Sequence, residues 1–288
     1  MKGRIVSLSC GIYSIESDGV IYNAPARGVF RSKGIKPTVG DLVEISEKSY
    51  VIANVYDRTS YLKRPPIANI DQMIIVESLK EPEFSYLLAF KYLTYANMNG
   101  IKAKIVVTKS DKQEDDKQIQ EIISTFKMID IDVYVVSNKK MTGLDEVRKI
   151  FKDHVTCLIG QSGVGKSSLI NSIDKDFSRR VGEFSYALGR GKHQTKEVIL
   201  LPYEGGYIAD TPGFSSLELD LYKEDLAQFY PGFTDIYTNC YFSDCLHISE
   251  NKCAVKELIE SGKYPKIAYD CYLKLSEQSV FKSKRYQR

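Results

Sequence analysis

The chain has 288 residues, which is long enough for two or three domains of ordinary size. Its hydrophobic fraction of 43% and charged fraction of 27% are those of a soluble globular protein, and no apolar run approaches the ~18 residues of a membrane helix, which excludes a membrane-spanning chain. The net charge is +3, with basic residues concentrated at both ends. Such ends favour contacts with a phosphate backbone, although a merely solvated tail is the alternative.

The first residues carry no signal-like apolar segment, and we expect a cytoplasmic location. Six cysteines in a cytoplasmic chain argue against a disulfide framework. Cys10, Cys157 and Cys271 lie in apolar patterns and are predicted to be buried thiols. The other three cluster within residues 240–253.

Residues 1–66 are predicted to form a small closed barrel of the OB-fold type, because short β-branched and aromatic segments alternate with turns. The predicted strands are Arg4–Ser9, Ile12–Glu16, Val20–Ala24, Arg27–Phe30, Asp41–Glu47 and Tyr50–Val55. Such barrels often bind RNA through one face, and the basic candidates for that face are Arg27, Arg31, Lys33 and Lys36. A structural or protein-docking barrel is the alternative. Arg64-Pro65-Pro66 is predicted to be a linker, since paired prolines break both helix and strand.

Residues 67–217 change to alternating strands and helices, which predicts a parallel sheet with helices on its faces. The expected strands are Met73–Val76, Lys104–Thr108, Val133–Val136, Val155–Ile159, Val198–Leu201 and Tyr207–Ala209. The expected helices are Glu83–Met98, Glu114–Ile123, Leu144–Phe151 and Lys166–Ile173. Ligands of such sheets bind at the carboxyl ends of the strands.

Two of these strand ends carry a pattern typical of guanine recognition. Residues 108–111 read TKSD, which is similar to the [N/T]-K-x-D motif of GTPases. The Asp111 carboxylate can accept hydrogen bonds from the N1–H and the 2-amino group of guanine, whereas adenine offers neither donor. The stem of Lys109 can pack over the nucleotide, and Thr108 replaces the usual Asn, which leaves one supporting hydrogen bond open. Ser137 ends the next strand, where a second base-contacting loop is expected.

Residues 160–167 read GQSGVGKS, which has the spacing G-x-x-x-x-G-K-[ST] of a P-loop. An apolar strand precedes this segment and a helix pattern follows it, which is the context that the motif requires. Its glycines let backbone N–H groups surround a phosphate chain, and the helix N-terminus adds favourable partial charge. Lys166 is expected to reach the outer phosphates, and the Ser167 hydroxyl to ligate Mg²⁺.

A basic loop and a D-x-x-G element follow the P-loop. The loop reads GRGKHQTK at 189–196 and carries the Thr195 hydroxyl near its end. Asp210 is expected to hold Mg²⁺ through water, and the Gly213 N–H to sense the γ-phosphate. Because the base-recognition motif precedes the P-loop here, the chain is predicted to be a circularly permuted GTPase, whose switch strand runs directly into the C-terminal segment.

Residues 218–288 are predicted to form a helical zinc-binding domain with a basic tail. Cys240, Cys245, His247 and Cys253 make a closed Cys₃His set, as tetrahedral structural zinc requires. A redox site is a weaker interpretation because no Cys-x-x-Cys occurs, and a chance cluster of thiols is a further alternative. Helices are expected over Ala254–Glu260 and Lys266–Phe281.

Together these features resemble the RsgA (YjeQ/YloQ) family of circularly permuted GTPases, which assist maturation of the small ribosomal subunit. The specific segments are GQSGVGKSS at 160–168, GRGKHQT at 189–195, DTPGF at 210–214 and the cysteine spacing followed by Ala254-Val255. The resemblance implies GTP hydrolysis stimulated by the 30S subunit, with the barrel and the zinc domain contacting its rRNA. Gln194 stands where the family usually has a first Thr, so the switch Mg²⁺ ligand is assigned to Thr195.

Hydrolysis requires a group that orients the attacking water, and the residue after the D-x-x-G glycine is a Gln in Ras-like enzymes. Here that residue is Phe214, which has no polar group. We therefore expect slow intrinsic hydrolysis and take His193, in the basic loop, as the candidate water-positioning residue. A solvated or RNA-facing His193 is the alternative.

The sequence thus predicts a monomeric GTPase that uses GTP or GDP with Mg²⁺ and one structural Zn²⁺, and that binds the 30S subunit but no membrane. A P-loop ATP-dependent kinase and a non-catalytic RNA-binding module are the alternatives. The catalytic candidates are His193, Lys166 and Thr195. The nucleotide-binding candidates are Thr108, Lys109, Asp111, Ser137, Gly160, Gln161, Ser162, Gly163, Val164, Gly165, Lys166, Ser167, Ser168, Asp210 and Gly213. The Mg²⁺ candidates are Ser167, Thr195 and Asp210.

Overall fold

The structure is a computed structural model that describes residues 1–32, 34–63, 65–112, 116–180, 182, 198–210 and 217–280. The packing of its Cα atoms divides the chain into two compact units. The first unit contains Met1–Ile74, Thr142–Ile159 and Lys166–Phe214. The second contains Ile75–Met141, Gly160–Gly165 and Ser215–Arg288.

Five strands near the N-terminus form a closed barrel. They are β1 (Lys2–Ser9), β2 (Ile12–Ser17), β3 (Val20–Pro25), β4 (Leu42–Ile45) and β5 (Ile52–Val55), in the sheet order β3-β2-β1-β4-β5. A parallel bridge between Ala26 and Ile52 joins the end of β3 to β5 and closes the sheet. The barrel interior is apolar and includes Ile5, Ile15 and Val43, all 0% exposed. The structure thus has the small closed barrel that the sequence predicted, and its strands are consistent with the OB-fold type.

Two local predictions in this region are wrong. Residues 27–30 do not form a strand, because Val29–Ser32 makes one helical turn, α1. The Phe30 N–H donates to the Arg27 carbonyl, and the turn buries the Phe30 ring while leaving Val29 exposed. Cys10 is not buried, because it lies in the turn after β1 with a positive φ of 48° and is exposed.

The proline pair also differs from its prediction. Strands β6 (Tyr61–Lys63) and β7 (Pro66–Ala68) pair antiparallel, with Pro66 as the first residue of its strand. Proline is tolerated at that position because a first residue of a short two-stranded ribbon need not donate to the ladder. Pro66 therefore begins a strand, where the sequence predicted a break.

Six strands form a mixed sheet in the order β10-β9-β8-β11-β13-β12. They are β8 (Gln72–Ser78), β9 (Lys102–Thr108), β10 (Val133–Val135), β11 (Val155–Ile159), β12 (Ile199–Tyr203) and β13 (Gly206–Asp210). The pairs β9/β10 and β11/β13 are parallel, as predicted, whereas β12 runs antiparallel to β13. The tight turn at Glu204-Gly205, both with positive φ, makes a hairpin, and a hairpin joins antiparallel strands.

The helices of this region begin and end close to the predicted positions. They are α2 (Tyr86–Met98), α3 (Lys117–Lys127), α4 (Leu144–Phe151) and α5 (Lys166–Ile173). Helix α2 begins three residues later than predicted because the Ser85 hydroxyl caps it by accepting the Leu88 N–H at 3.3 Å. Helix α4 and helix α5 match their predicted bounds.

The C-terminal region is built on short helices around an aromatic core. The helices are α6 (Leu226–Phe229), α7 (Ala254–Glu260) and α8 (Lys266–Gln278), and α8 packs against α2. Tyr230, Phe233 and Tyr272 lie with ring centroids about 5 Å apart, and all three are buried. Within the described ranges, no helix is long and apolar enough to cross a membrane.

Candidate functional site

Thr108 is the last residue of β9 and ties the base-recognition segment to the phosphate loop. Its side chain is 0% exposed, and its hydroxyl contacts two carbonyl oxygens, that of Val164 at 2.5 Å and that of Glu77 at 3.3 Å. A threonine therefore supplies a bond to the P-loop at the position where Asn is usual. The supporting hydrogen bond that the sequence left open is present in the structure.

Lys109 makes a second connection between the same two segments. Its backbone has a positive φ of 58°, and its ammonium group donates to the Gly163 carbonyl at 2.7 Å and to the Glu81 carbonyl. Both acceptors are backbone oxygens, and the positive charge of Lys109 also helps to lower the pKa of the nearby Glu81 carboxyl, after the larger effect of Lys112. The predicted packing of the Lys109 stem over the nucleotide stays a prediction.

Asp111 and Ser137 form a hydrogen-bonded pair across two neighbouring strand ends. The Ser137 hydroxyl donates to Asp111 Oδ1 at 2.5 Å and accepts the Lys140 N–H at 3.0 Å. That hydroxyl bond, aided by the positive charges of Lys139 and Lys140, lowers the pKa of the Asp111 carboxyl. Asp111 is therefore an anionic acceptor with a fixed orientation, which is what a guanine N1–H and 2-amino group would require.

The P-loop glycines adopt backbone conformations that other residues rarely adopt, and Gly160 also leaves no space for a side chain. Gly160 has φ of 154°, and a Cβ built on it would lie 2.1 Å from the Val76 carbonyl oxygen. Gly165 has φ of 98°, and its built Cβ would lie 3.5 Å from Thr108 Oγ1. The loop backbone thus runs close against the ends of β8 and β9, and the first and last glycines of the motif permit it.

Helix α5 follows directly, with Lys166, Ser167 and Ser168 in its first turn. Its apolar side is buried through Leu169, Ile170 and Ile173, which fixes the helix after the loop. At its C-terminal end, the Arg148 guanidinium donates to the carbonyls of Ser172 at 3.1 Å and Ile173 at 3.2 Å. Those bonds satisfy carbonyls that have no partner inside the helix.

Four predicted switch positions have no described side chain. His193, Thr195 and Gly213 lie outside the described residues. Asp210 is the last residue of β13, and only its backbone is described. Their predicted roles towards Mg²⁺, the γ-phosphate and water therefore stay predictions.

The four predicted metal ligands come together as one cluster. The three sulfurs and the His247 ring nitrogen all lie within 4.8 Å of one another, at Cys240, Cys245, His247 and Cys253. The Cys240 and Cys253 sulfurs are 3.8 Å apart, and they lie 3.3 and 3.4 Å from His247 Nδ1. Tetrahedral zinc with bonds of about 2.3 Å to sulfur and 2.0–2.1 Å to nitrogen would separate such atoms by about 3.8 and 3.6 Å. The spacing fits a four-coordinate zinc ion.

The protonation of the cluster also fits a divalent cation. Burial lowers the pKa of His247, which keeps its imidazole neutral and able to ligate a metal. Burial raises the pKa of Cys253 and raises the pKa of Cys245 to about 12 in the metal-free chain. Thiolates at these positions therefore need a nearby positive charge, which a bound metal ion would supply.

Glu250, which the sequence did not single out, organises the backbone around His247. Its carboxylate accepts the N–H groups of Leu246 and Ile248 at 2.8 Å and of Ser249 at 3.0 Å. Burial raises the pKa of Glu250, but these backbone bonds outweigh burial and lower it overall. The Tyr269 hydroxyl adds a bond to the His247 carbonyl at 2.8 Å. The position of Glu250, three residues after the predicted ligand His247, was the available sequence signal for this turn.

Two family models match successive parts of the chain. The family model for the RsgA GTPase matches residues 55–220, and the family model for the RsgA N-terminal domain matches residues 2–51. A protein of Geobacillus sp. strain WCH70 named small ribosomal subunit biogenesis GTPase RsgA is 40% identical over 99% of both chains. The Bacillus subtilis strain 168 protein of that name is 38% identical, again over 99% of both chains.

Two solved structures are similar over nearly the full length. YjeQ from Thermotoga maritima superposes with a TM-score of 0.84 at 32% identity, covering 96% of this chain and 97% of its own. YloQ, described as a circularly permuted GTPase, gives 0.80 at 34% identity, covering 96% of this chain and 94% of its own. Because the family model spans more than half of the chain and these relatives match it almost end to end, the chain belongs to the RsgA family of circularly permuted GTPases.

Proposed function

We propose that the chain is a GTP-hydrolysing assembly factor that binds the small ribosomal subunit and assists its late maturation. The observation that carries the nucleotide part is the Asp111 carboxylate, held by Ser137 beside a Thr108 that bonds the P-loop carbonyl of Val164. The partner is supported by the relatives, which are named small ribosomal subunit biogenesis GTPases and match this chain from end to end.

The residues of the nucleotide site are assigned by their chemistry. Asp111 reads the base, and the P-loop backbone from Gly160 to Gly165 surrounds the phosphates. Lys166 neutralises charge on the outer phosphates, which is a local electrostatic effect. Ser167, Thr195 and Asp210 would hold Mg²⁺, and Gly213 would sense the γ-phosphate; the chemistry that Mg²⁺ supplies when bound is neutralisation of the phosphate oxygens.

His193 is assigned to position the attacking water, because Phe214 offers no polar group for this role. Binding of the subunit would bring the His193 imidazole to the attacking water. The water then attacks the γ-phosphorus of GTP, the bond from that phosphorus to the β–γ bridging oxygen breaks, and GDP and inorganic phosphate are released. If His193→Ala binds both GTP and the subunit but loses stimulated turnover, the assignment holds. Full stimulated turnover in that variant would remove His193 from catalysis.

The remaining assignments concern the domains and the metal. We divide the chain into a barrel at 1–66, a permuted GTPase domain at 67–217 and a zinc domain at 218–288. The barrel and the zinc domain would contact rRNA, and the protein would act in the cytoplasm as a monomer. The metal is zinc and is structural, since four protein ligands leave no open coordination position for chemistry.

Co-sedimentation with purified small ribosomal subunits tests the partner. We expect the chain to pellet with subunits when loaded with a non-hydrolysable GTP analogue and to pellet less when loaded with GDP, because the γ-phosphate orders the switch segment. Lys166→Ala should lose this difference between nucleotides. Absence of the chain from the pellet in every nucleotide state would contradict the proposed partner.

A further inference from the structure

Strand β13 is attached to the barrel by a tyrosine hydroxyl. Tyr207 lies near the start of β13, and its hydroxyl donates to Glu16 Oε2 on barrel strand β2. The other carboxylate oxygen of Glu16 accepts the Gly19 N–H at 2.6 Å, which fixes the orientation of the carboxylate within the barrel. Both residues of the bond belong to the same compact unit. The bond therefore connects the barrel with the strand that ends at Asp210.

Arg4 supports this connection from the central strand of the barrel sheet. Strand β1 lies between β2 and β4, and Arg4 is the cross-strand neighbour of Glu16. The Arg4 guanidinium lies over the Tyr207 ring, 5.3 Å from its centroid, and donates to the Gly40 carbonyl at 3.0 Å. Burial lowers the pKa of Arg4, an effect that the nearby tyrosine and acidic groups oppose. The guanidinium thus bonds to the barrel backbone while it packs against the aromatic ring of β13.

This contact restricts how the barrel is oriented on the β12–β13 hairpin. Apolar packing is non-directional, whereas a hydrogen bond to a charged acceptor and a guanidinium over a ring each have few favourable geometries. Strand β1 also packs against β12, which pairs with β13, so the barrel contacts both strands of the hairpin. We therefore expect a displacement of the barrel to move the hairpin with it.

Strand β13 connects this contact with the nucleotide site. Tyr207 pairs with Val155 on β11, the strand that leads into the P-loop. Three residues after Tyr207, β13 ends at Asp210, the predicted Mg²⁺ ligand. The backbone bonds of β13 to β11 and β12 do not involve the tyrosine hydroxyl. The hydroxyl can therefore affect how the barrel acts on β13 without being needed to form the sheet.

We propose that the Glu16–Tyr207 bond, supported by Arg4, transmits binding of the small ribosomal subunit from the barrel to strand β13 and so raises GTP turnover. The inference rests on the proposed function and adds the contact through which the subunit acts on hydrolysis. It requires two arrangements of barrel and hairpin that differ in turnover, of which the bound subunit stabilises the faster one. Breaking the bond should then lower stimulated turnover and spare intrinsic turnover.

The test measures GTP turnover of the full chain at increasing concentrations of purified small ribosomal subunits. Tyr207→Phe removes the hydroxyl and keeps the ring beside Arg4. Its intrinsic turnover should match that of the wild type, and its maximal stimulated rate should fall about fivefold. The subunit concentration that gives the half-maximal effect should not rise. Tyr203→Phe, the matched control in the same hairpin, should keep wild-type stimulation.

A double variant tests whether Glu16 and Tyr207 act as one unit. Glu16→Ala should also lower the stimulated rate, and Tyr207→Phe should cause no further loss in that background, because the bond is already broken. A further fivefold loss in the double variant would overturn the proposal. It would also be overturned by wild-type stimulation in Tyr207→Phe, by equal losses of intrinsic and stimulated turnover, or by a higher half-maximal subunit concentration with an unchanged maximal rate. A wild-type protein whose turnover small subunits leave unchanged would instead contradict the proposed function, and this inference with it.

Discussion

The base-recognition loops and the Cys/His cluster lie in the same compact unit of the chain, but different forces hold them. Thr108, Lys109 and Ser137 are fixed by hydrogen bonds within the protein, at 2.5 to 2.7 Å. The cluster instead brings three thiols and an imidazole to within 4.8 Å, where burial opposes the thiolate forms. The base-recognition side chains are therefore held by bonds within the protein, whereas we expect the cluster to depend on a bound metal ion.

Because of this difference, the free energy that stabilises each site should come from a different source. A preformed base site spends little of the binding energy of its nucleotide on ordering protein groups. A structural zinc site in a small module converts metal-binding energy into folding energy. Perturbing the metal should consequently disturb the fold around it, and perturbing a base-site residue should change nucleotide affinity with little effect on the fold.

The largest effect is expected from loss of the metal. The purified protein should contain about one zinc per chain, and Cys245→Ser should lose that zinc because the substitution removes one of the four ligands. The effect on folding should be large, since structural zinc contributes roughly 10–16 kcal/mol in zinc-finger peptides. Hydrogen exchange should then accelerate across residues 240–260, while GTP affinity stays close to that of the wild type. Cys10→Ser, which changes an exposed cysteine outside the cluster, is the control and should keep the zinc. Freshly purified protein without zinc would contradict the metal assignment.

The next effect concerns the choice of base. Asp111→Asn should weaken GTP binding by on the order of 100-fold, since two charge-assisted hydrogen bonds become one mismatched amide contact. Affinity for xanthosine triphosphate should rise, because xanthine carries an oxygen in place of the 2-amino group. Competition binding measures both nucleotides. Asp116→Asn, a nearby exposed carboxylate, should leave the preference unchanged. An unaltered GTP/XTP preference in Asp111→Asn would remove Asp111 from the base site.

A smaller effect is expected at the bond that joins the two nucleotide loops. Thr108→Val keeps the shape of the side chain but leaves the Val164 carbonyl without its hydroxyl partner, at a cost of about 1–2 kcal/mol. GTP affinity should fall about tenfold, and thermal stability should fall with it. Thr108→Ser retains the hydroxyl and should stay near the wild type. Equal affinities for the Val and Ser variants would show that the bond does not support nucleotide binding.

The smallest effect lies at Glu250, beside the metal ligands. Glu250→Gln should destabilise the metal loop by roughly 1 kcal/mol, because an amide cannot accept all three backbone N–H groups. The folded-state pKa of Glu250 is lowered, so its stabilisation is complete above the ordinary carboxyl pKa and is lost as the pH falls towards the lowered value. Melting curves of the two proteins should thus converge at acidic pH. A constant difference across that range would contradict this role.

The sequence predicted most of what depends on local spacing. The P-loop, the cysteine spacing and the bounds of helices such as α4 (Leu144–Phe151) follow from short patterns, and the structure has them there. The apolar runs over β8 and β11 likewise predicted strands, and both are buried along their whole length, because strands covered on both faces are continuously hydrophobic.

What the sequence missed depends on contacts between distant segments or on the geometry of a turn. Thr108 contacts Val164 only because the P-loop lies against the end of β9, so the effect of replacing Asn by Thr could not be judged from the local sequence. The single turn of α1 was missed because it contains the β-branched Val29, a residue type that favours strands. The Glu250 carboxylate bonds backbone groups, and its position three residues after His247 was only a weak signal of that turn.

The most direct measurement of the proposed function is the GTP turnover rate of the full chain with and without purified small ribosomal subunits. The account predicts slow turnover alone, a rise of at least about tenfold at saturating subunits, and no rise for Lys166→Ala. Large ribosomal subunits serve as the control and should give no comparable stimulation. A chain that binds GTP but whose turnover the small subunit leaves unchanged would contradict the account.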